Sequence, residues 1–356
     1  MKLHFHVTRN LLTSFTFGVV AMGFVALPGV AVGAISKLPN TDMIVLLQYL
    51  PIVLLSLLPY VLPIGFLLAV VVTFGRLAAD NEWTAIQMAG VRPISLFSGP
   101  LLFGLLACGT TFWMVGYELP HLKQREKEFV REAVRTAITH LNPGRKTIQI
   151  GGFYLRGAKR EGDLFLRVYI HKPGLDGADD QRAYADTARI YFKGDNLHVE
   201  LTGFQPVDTK SGYRANLDKT EVVVPFGDHL KGSKRTYSKA RYQTNDQLVS
   251  ALESGELDEA NTRQYVFELH MRYATGAVFF LFLALGASTG LILRRGTQLG
   301  AMAVSVTYAL LYYVFSMRIG RELGQSGTVH PIVAAWLTQG LAWIGAVILL
   351  KKALRR

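Results

Sequence analysis

Residues 75–90 read GRLAADNEWTAIQMAG, and what flanks them decides the fold. On either side stand the apolar runs Met43–Phe74 and Ile94–Tyr117, each long enough to cross a hydrocarbon core of about 30 Å. The linking stretch interleaves Arg76, Asp80, Asn81, Glu82 and Gln87 with Leu77, Trp83, Ile86 and Met88. Ala79, Trp83 and Ile86 follow at spacings of four and three, the period of one helix face. This predicts a short amphipathic helix outside the bilayer between two spans. Asp80 or Asn81 caps its start, and Glu82 then sits in the first turn, where the helix dipole favours a carboxylate. Gly90 and Pro93 close it before the next span. Such an element either lies on lipid or docks on a partner.

Working outward, four more apolar runs appear: Leu11–Ile35, Tyr273–Leu293, Leu299–Met317 and His330–Leu350. Half of the 356 residues are hydrophobic, yet they are bunched, so six spans surround one water-soluble insert. The first run is too long for a cleaved signal peptide and lacks a small-x-small cleavage site. Pro28 within it predicts a kink, and Pro51, Pro59 and Pro63 suggest that the second run begins in the interface.

Charge orients the spans. Outside residues 120–268 there are 14 Lys and Arg against 5 Asp and Glu. Ten of those cations (Lys2, Arg9, Arg76, Arg92, Arg294, Arg295, Lys351, Lys352, Arg355 and Arg356) fall on one side of a six-span arrangement. The positive-inside rule makes that side cytoplasmic and exports the insert. With 24 basic and 21 acidic residues, the insert gives no case for nucleic acid.

The insert opens with HLKQREKEFVREAVRTAITHL (121–141), an amphipathic helix stopped by Asn142-Pro143-Gly144. Short β-branched and aromatic runs follow at Thr147–Leu155, Leu164–His171, Ala188–Phe192, Leu197–Leu201 and Glu221–Phe226, with turn-prone clusters between them. They read as a β-sandwich or open barrel. One polar helix, Asp246–Arg263, returns the chain to the membrane. Small residues crowd span four (Gly276, Ala277, Ala284, Gly286, Ala287 and Gly290), so it packs on protein rather than lipid.

Chemistry of the usual kinds is absent from the sequence. There is no phosphate-binding Gly-Lys-Ser/Thr loop and no HExxH pair, and the single cysteine, Cys108, lies inside span three. No catalytic residue, metal site or cofactor is expected, and any ATP hydrolysis belongs to another chain. Lys37, Arg318 and Arg321 stand near headgroup depth, where cations either anchor a span or meet a phosphorylated lipid. Arg318 and Arg321 are three apart, which predicts a shared helix face, although Glu322 stands beside them to neutralise one.

The chain resembles the LptF/LptG (YjgP/YjgQ) permeases in architecture, with three spans, an exported β domain and three more spans. The local resemblance lies in Gly75–Pro93, with Asn81-Glu82 and Ala89-Gly90, in Phe267-Glu-Leu-His-Met-Arg272, in Tyr308–Leu311 and in Pro331–Trp336. FTFGVVAMGF near the start and YVLPIGFLLAVVVTFGRLAADNE look slightly more LptF-like. The resemblance implies a helical membrane fold of six transmembrane helices with an inserted periplasmic all-β jelly-roll/β-sandwich domain. Residues 1–118 would hold spans one to three with a coupling helix at 77–90, residues 119–268 the periplasmic domain, and residues 269–356 spans four to six. It further implies the permease subunit of an ABC transporter in the bacterial inner membrane, with both termini cytoplasmic. Its partners would be a cytoplasmic ATPase dimer, a second such permease, a periplasmic jelly-roll bridge protein and lipopolysaccharide. Glu82, Trp83 and Ile86 would engage the ATPase, while Lys37, Arg318 and Arg321 would bind substrate. A membrane-anchored periplasmic scaffold or lipid-binding module uncoupled from ATP is the alternative, separated by whether an ATPase copurifies. An ABC permease of the MacB type is disfavoured, because its exported domain follows the first span.

Overall fold

Uninterrupted apolar length produces the helices. A computed structural model describes residues 2–38, 43–139, 148–150, 153–161, 164–172, 181–193, 196–207, 217–225, 239–293 and 298–354. Helix α1 covers Lys2–Lys37 and contains Pro28 without ending there, and α2 runs unbroken from Met43 to Ala79. Then come the short α3 (Glu82–Met88), a 3-10 turn at Pro93–Phe97, α4 (Ser98–Trp113) and α5 (Leu119–Thr139). After the β domain come α6 (Asn245–Glu253), α7 (Glu259–Ile292), α8 (Gln298–Val314), α9 (Arg321–Ser326) and α10 (Pro331–Leu354). Six segments are long and apolar enough to cross a membrane, as expected, and each contains one of the six apolar runs almost entirely.

Two of these spans continue through wide turns. Residues Met114–Glu118 form a π-helical turn joining α4 to α5, so span three does not stop at Pro120. A proline there has no N–H for the carbonyl four residues back, and a wider turn absorbs the missing bond. A second π-helical turn, Phe315–Gly320, joins α8 to α9, and Gly327 ends that helix in the left-handed region at φ 79°.

The chain divides into two compact units. The first comprises residues 1–29, 53–123 and 238–356 and has α7 as its most enclosed helix, buried over 83% of its most apolar window. Small residues permit this. A Cβ on Gly290 would stand 2.7 Å from the Val71 carbonyl oxygen and 2.8 Å from the Gly75 nitrogen, so only glycine lets α7 lie this close to α2. Exposed Phe17, Phe24 and Val25 on α1, and Leu341, Ile344 and Ile348 on α10, form the apolar surface a bilayer covers.

The return to the membrane is two helices rather than one. Gly255 takes φ 68° and separates α6 from α7, while Thr244 and Gln247 close a reciprocal capping box on α6. These helices group with the spans in the first unit. Tyr117 donates to Asp246 and Arg272 donates to Asn245, fastening α6 to the spans.

The second unit comprises residues 30–52 and 124–237. Six strands, β1 (Ile148–Ile150), β2 (Phe153–Glu161), β3 (Leu164–Lys172), β4 (Gln181–Lys193), β5 (Asn196–Val207) and β6 (Leu217–Pro225), pair antiparallel in chain order as one sheet. The inserted β domain is therefore present; the first β-rich run divides between β1 and β2, and β4, β5 and β6 are longer than their runs suggested. Its alternation resets midway. Buried positions run Ala183, Ala185 and then Ala188 on β4, and Phe165 and then Val168 on β3. The reset falls on one line across the sheet, at Arg167 (φ 53°), Asp186 and Gly203 (φ 65°). Left-handed residues there rotate the strands, creasing one sheet so that both halves turn apolar side chains inward. A Cβ on Gly203 would also collide with the Asp186 carboxylate.

Arg294, Arg295, Arg355 and Arg356 from the charge argument, Thr147 from the first β-rich run and the Asn142–Gly144 stop lie outside the described residues.

Candidate functional site

The linker between spans two and three is built differently from its helical reading. Leu77 to Ala79 continue α2, so the short helix covers 82–88 rather than 77–90. The turn is made by Asn81 in the left-handed region (φ 56°), whose side chain makes no capping bond. Asparagine is one of the few residues that reach this conformation at little cost. The helix then doubles back on the end of α2. Trp83 is 3% exposed and Ile86 8%, and both belong to a core with Phe74, Leu77, Ala78 and Leu96. The Trp83 ring meets Phe74 edge-on at 6.3 Å between centroids, and Phe74 lies 4.9 Å from Phe97.

The sequence reading places Trp83 and Ile86 in a partner's groove, whereas both are buried within the chain here. They face their own chain and hold the opposite face of α3 outward. That face presents Glu82, Ala85 and Met88, the last 80% exposed, followed by exposed Val91 and Ile94. Arg76 and Arg92 flank it in the open. Met88 is a surface residue that the periodicity did not single out. Its signal was available, since it stands off the 79/83/86 stripe.

The candidate cations at the other end of the spans take three different situations. Lys37 ends α1 within the β-bearing unit, and its ammonium is paired with Glu126 of α5. Tyr49 completes the group, donating its hydroxyl to Glu126 Oε1 at 2.8 Å and accepting from Lys37 Nζ at 3.1 Å. Tyr49 and Glu126 are buried. Glu126 was passed over inside a charged run, KQREKEFVRE, but it stands four before the buried Val130 on the apolar face of α5. An acid on an apolar stripe was the available signal.

Arg318 lies in the π-helical turn and is exposed. Arg321 is half-buried, and its guanidinium lies 3.5 Å from Glu268 Oε2 of α7. The two arginines therefore stand in different surroundings, and the wide turn between them departs from the spacing that stacks residues three apart on an α-helix. Glu268, not Glu322, is the acid Arg321 meets. It also stands 3.8 Å from Arg272 Nε, which lies one turn further along α7. Arg272 is 2% exposed and donates to Asn245 Oδ1 at 2.9 Å and to the Ala240 carbonyl at 3.1 Å. Glu268 and Arg272 sit in the FELHMR stretch, where sequence reading gave them no role of their own.

Together these features suit a membrane device with a rigid knob at one end and cation-bearing span ends at the other. A family model for the lipopolysaccharide export system permease LptF/LptG matches residues 6–352. A comparison with curated proteins gave no match.

Proposed function

The chain belongs to the LptF/LptG lipopolysaccharide export permeases, multi-pass proteins of the inner membrane, and from that premise we propose how it couples and what it holds. It pairs with a second permease of this kind on a cytoplasmic ATPase dimer, extracts lipopolysaccharide from the outer leaflet and passes it to a periplasmic jelly-roll bridge. Both termini and α3 lie in the cytoplasm, and the β domain in the periplasm. The observation that carries this reading is the inverted α3. A two-turn helix whose aromatic face is fixed to its own span offers a rigid ridge of Glu82 and Met88 to a partner's groove. Glu82 pairs there with a basic group, and Met88 enters an apolar pocket. The edge strands β1 and β6, unpaired on their outer sides among the described residues, suit strand addition by the bridge.

The test removes the ridge and keeps its support. Glu82→Ala with Met88→Ala should insert normally but weaken ATPase copurification on the order of tenfold. A partly exposed ion pair contributes roughly 1 kcal/mol, and a docked apolar side chain adds a similar amount. Normal copurification, together with hydrolysis that still responds to lipid, would refute the coupling assignment.

At the outer face we assign Arg318 to the lipid headgroup, because it is the exposed member of the three candidate cations. Lys37 serves a headgroup only when Glu126 releases the ammonium, whereas Arg321 is turned inward. Charge-assisted contacts contribute on the order of 1.5–3 kcal/mol, so Arg318→Glu should cut copurified glycolipid at least several-fold. Mass spectrometry of the purified assembly reads this directly. Glycolipid at the wild-type level would return Arg318 to the role of a membrane anchor.

A further inference from the structure

Arg272 of α7 is 2% exposed, and each nitrogen of its guanidinium meets a different group. Nη1 donates to Asn245 Oδ1 at the start of α6, at 2.9 Å, and Nη2 donates to the Ala240 carbonyl at 3.1 Å. Nε stands 3.8 Å from Glu268, one turn earlier on α7. Ala240 belongs to a 3-10 turn, Lys239–Tyr242, that leads into α6. A planar guanidinium reaches three fixed groups at once, which an ammonium on a flexible stem does not. Arg272 therefore holds two successive elements of the returning chain against span four.

The outgoing chain is tied to the same place. Asn245 is 5% exposed and packs on Gly116, which lies in the π-helical turn Met114–Glu118 of span three. A Cβ at Gly116 would stand 2.3 Å from Asn245 Nδ2, so only glycine lets α6 begin here. The next residue on each side adds a second tie, as Tyr117 donates to Asp246 Oδ1 at 3.1 Å. Phe112 of α4 stacks on Tyr273 at 5.2 Å, and Gly276 lets α7 approach Phe112 closely. Spans three and four are thus locked together where the inserted chain departs through α5 and returns through α6. A buried charge adds little stability over an apolar side chain of similar volume, whereas its directed bonds fix one arrangement. Wide helical turns, moreover, recur at functional places in helices.

We propose that Arg272 is a positioning residue for transport. With Asn245 and Gly116 it forms a rigid joint that carries movement of spans three and four into both chain connections of the inserted domain. The transport role rests on the permease function proposed for the chain, whereas the rigidity of the joint does not.

A cysteine pair opens and closes the joint within one protein. Gly116→Cys and Asn245→Cys are introduced together with Cys108→Ser into the full-length chain. The ideal Cβ at 116 lies 2.9 Å from Asn245 Cγ, so the two new Cβ atoms fall near the roughly 3.5–4.5 Å separation a disulfide needs. The reduced pair removes an acceptor from Arg272, and the disulfide ties α6 back to span three. In the reduced protein, hydrogen exchange of the α6 amides should speed up on the order of tenfold, because a hydrogen bond to a buried charge is lost. In proteoliposomes with lipopolysaccharide, the ATPase and the bridge protein, hydrolysis should continue while most glycolipid transfer to the bridge is lost. Oxidation should restore both slow exchange and transfer. Asn245→Asp, which keeps the acceptor, should transfer normally, and Arg272→Lys, which keeps the charge and loses the fork, should fall between. Should the cysteine pair fail to insert, these two single variants carry the comparison. Normal transfer in the reduced protein, unchanged α6 exchange, or failure of a verified disulfide to restore transfer would overturn the proposal. A wild type that passes no glycolipid to the bridge would refute the permease function and with it the transport role of Arg272, and exchange would then judge the joint by itself.

Discussion

Trp83→Ala should uncouple the permease more severely than removal of the exposed ridge itself. The ring is 3% exposed against Phe74, Leu77 and Ile86, and deleting a buried tryptophan costs about 3–5 kcal/mol. That exceeds what a two-turn helix can recover from its own hydrogen bonds, since isolated helices of this length are marginal in water. Glu82 and Met88 would remain in the chain but lose their fixed direction. The expected result is near-complete loss of ATPase copurification, with the span bundle still inserted and the six-helix pattern intact by circular dichroism. Trp83→Phe, which refills most of the space against Phe74, should recover much of the association. Full coupling in the alanine variant would mean that α3 docks by refolding on its partner, and that its packing on α2 plays no part.

The second large effect concerns the buried group formed by Lys37, Tyr49 and Glu126. Removing one member of a buried charge pair typically costs about 3–5 kcal/mol, because the remaining charge is left uncompensated. Glu126→Ala should therefore lower the midpoint of thermal unfolding by several degrees, and adding Lys37→Met should restore much of that loss. Glu126→Gln probes function instead. The amide keeps an acceptor for the Tyr49 hydroxyl and takes the counter-charge away from Lys37. If Lys37 serves the headgroup when released, this variant should retain more copurified glycolipid than wild type, and Lys37→Met should retain less. Equal glycolipid in all three proteins would confine Lys37 to holding α1 against α5.

The architecture was legible because membrane spans are written in length and hydrophobicity, which need no partner to be recognised. All six spans, the β-rich insert between the third and fourth, and the enclosed character of α7 followed from apolar runs and from Gly276, Gly286 and Gly290. The short helix between spans two and three was legible as an element. Its face was not. Trp83 and Ile86 mark an apolar stripe in either arrangement, and periodicity carries no information on whether a stripe meets its own chain or another. The positive φ of Asn81 sends the helix back over α2, and a single backbone torsion has no signature in a hydropathy pattern.

The same limit explains the cations. Lys37, Arg318 and Arg321 were chosen for headgroup depth, which sequence position gives well. Their partners lie far away along the chain: Glu126 is 89 residues from Lys37, and Glu268 is 53 from Arg321. The π-helical turn at 315–320 also departs from the three-residue spacing that suggested a joint clamp. On the β domain, strands and turns could be read locally, whereas the crease at Arg167, Asp186 and Gly203 arises only when neighbouring strands align. Sequence alone determined what kind of protein this is and how often it crosses the membrane, because transfer from water to lipid is a property of each segment by itself. Tertiary structure decided which charges are answered and which side chains face outward, because those are properties of pairs brought together by folding.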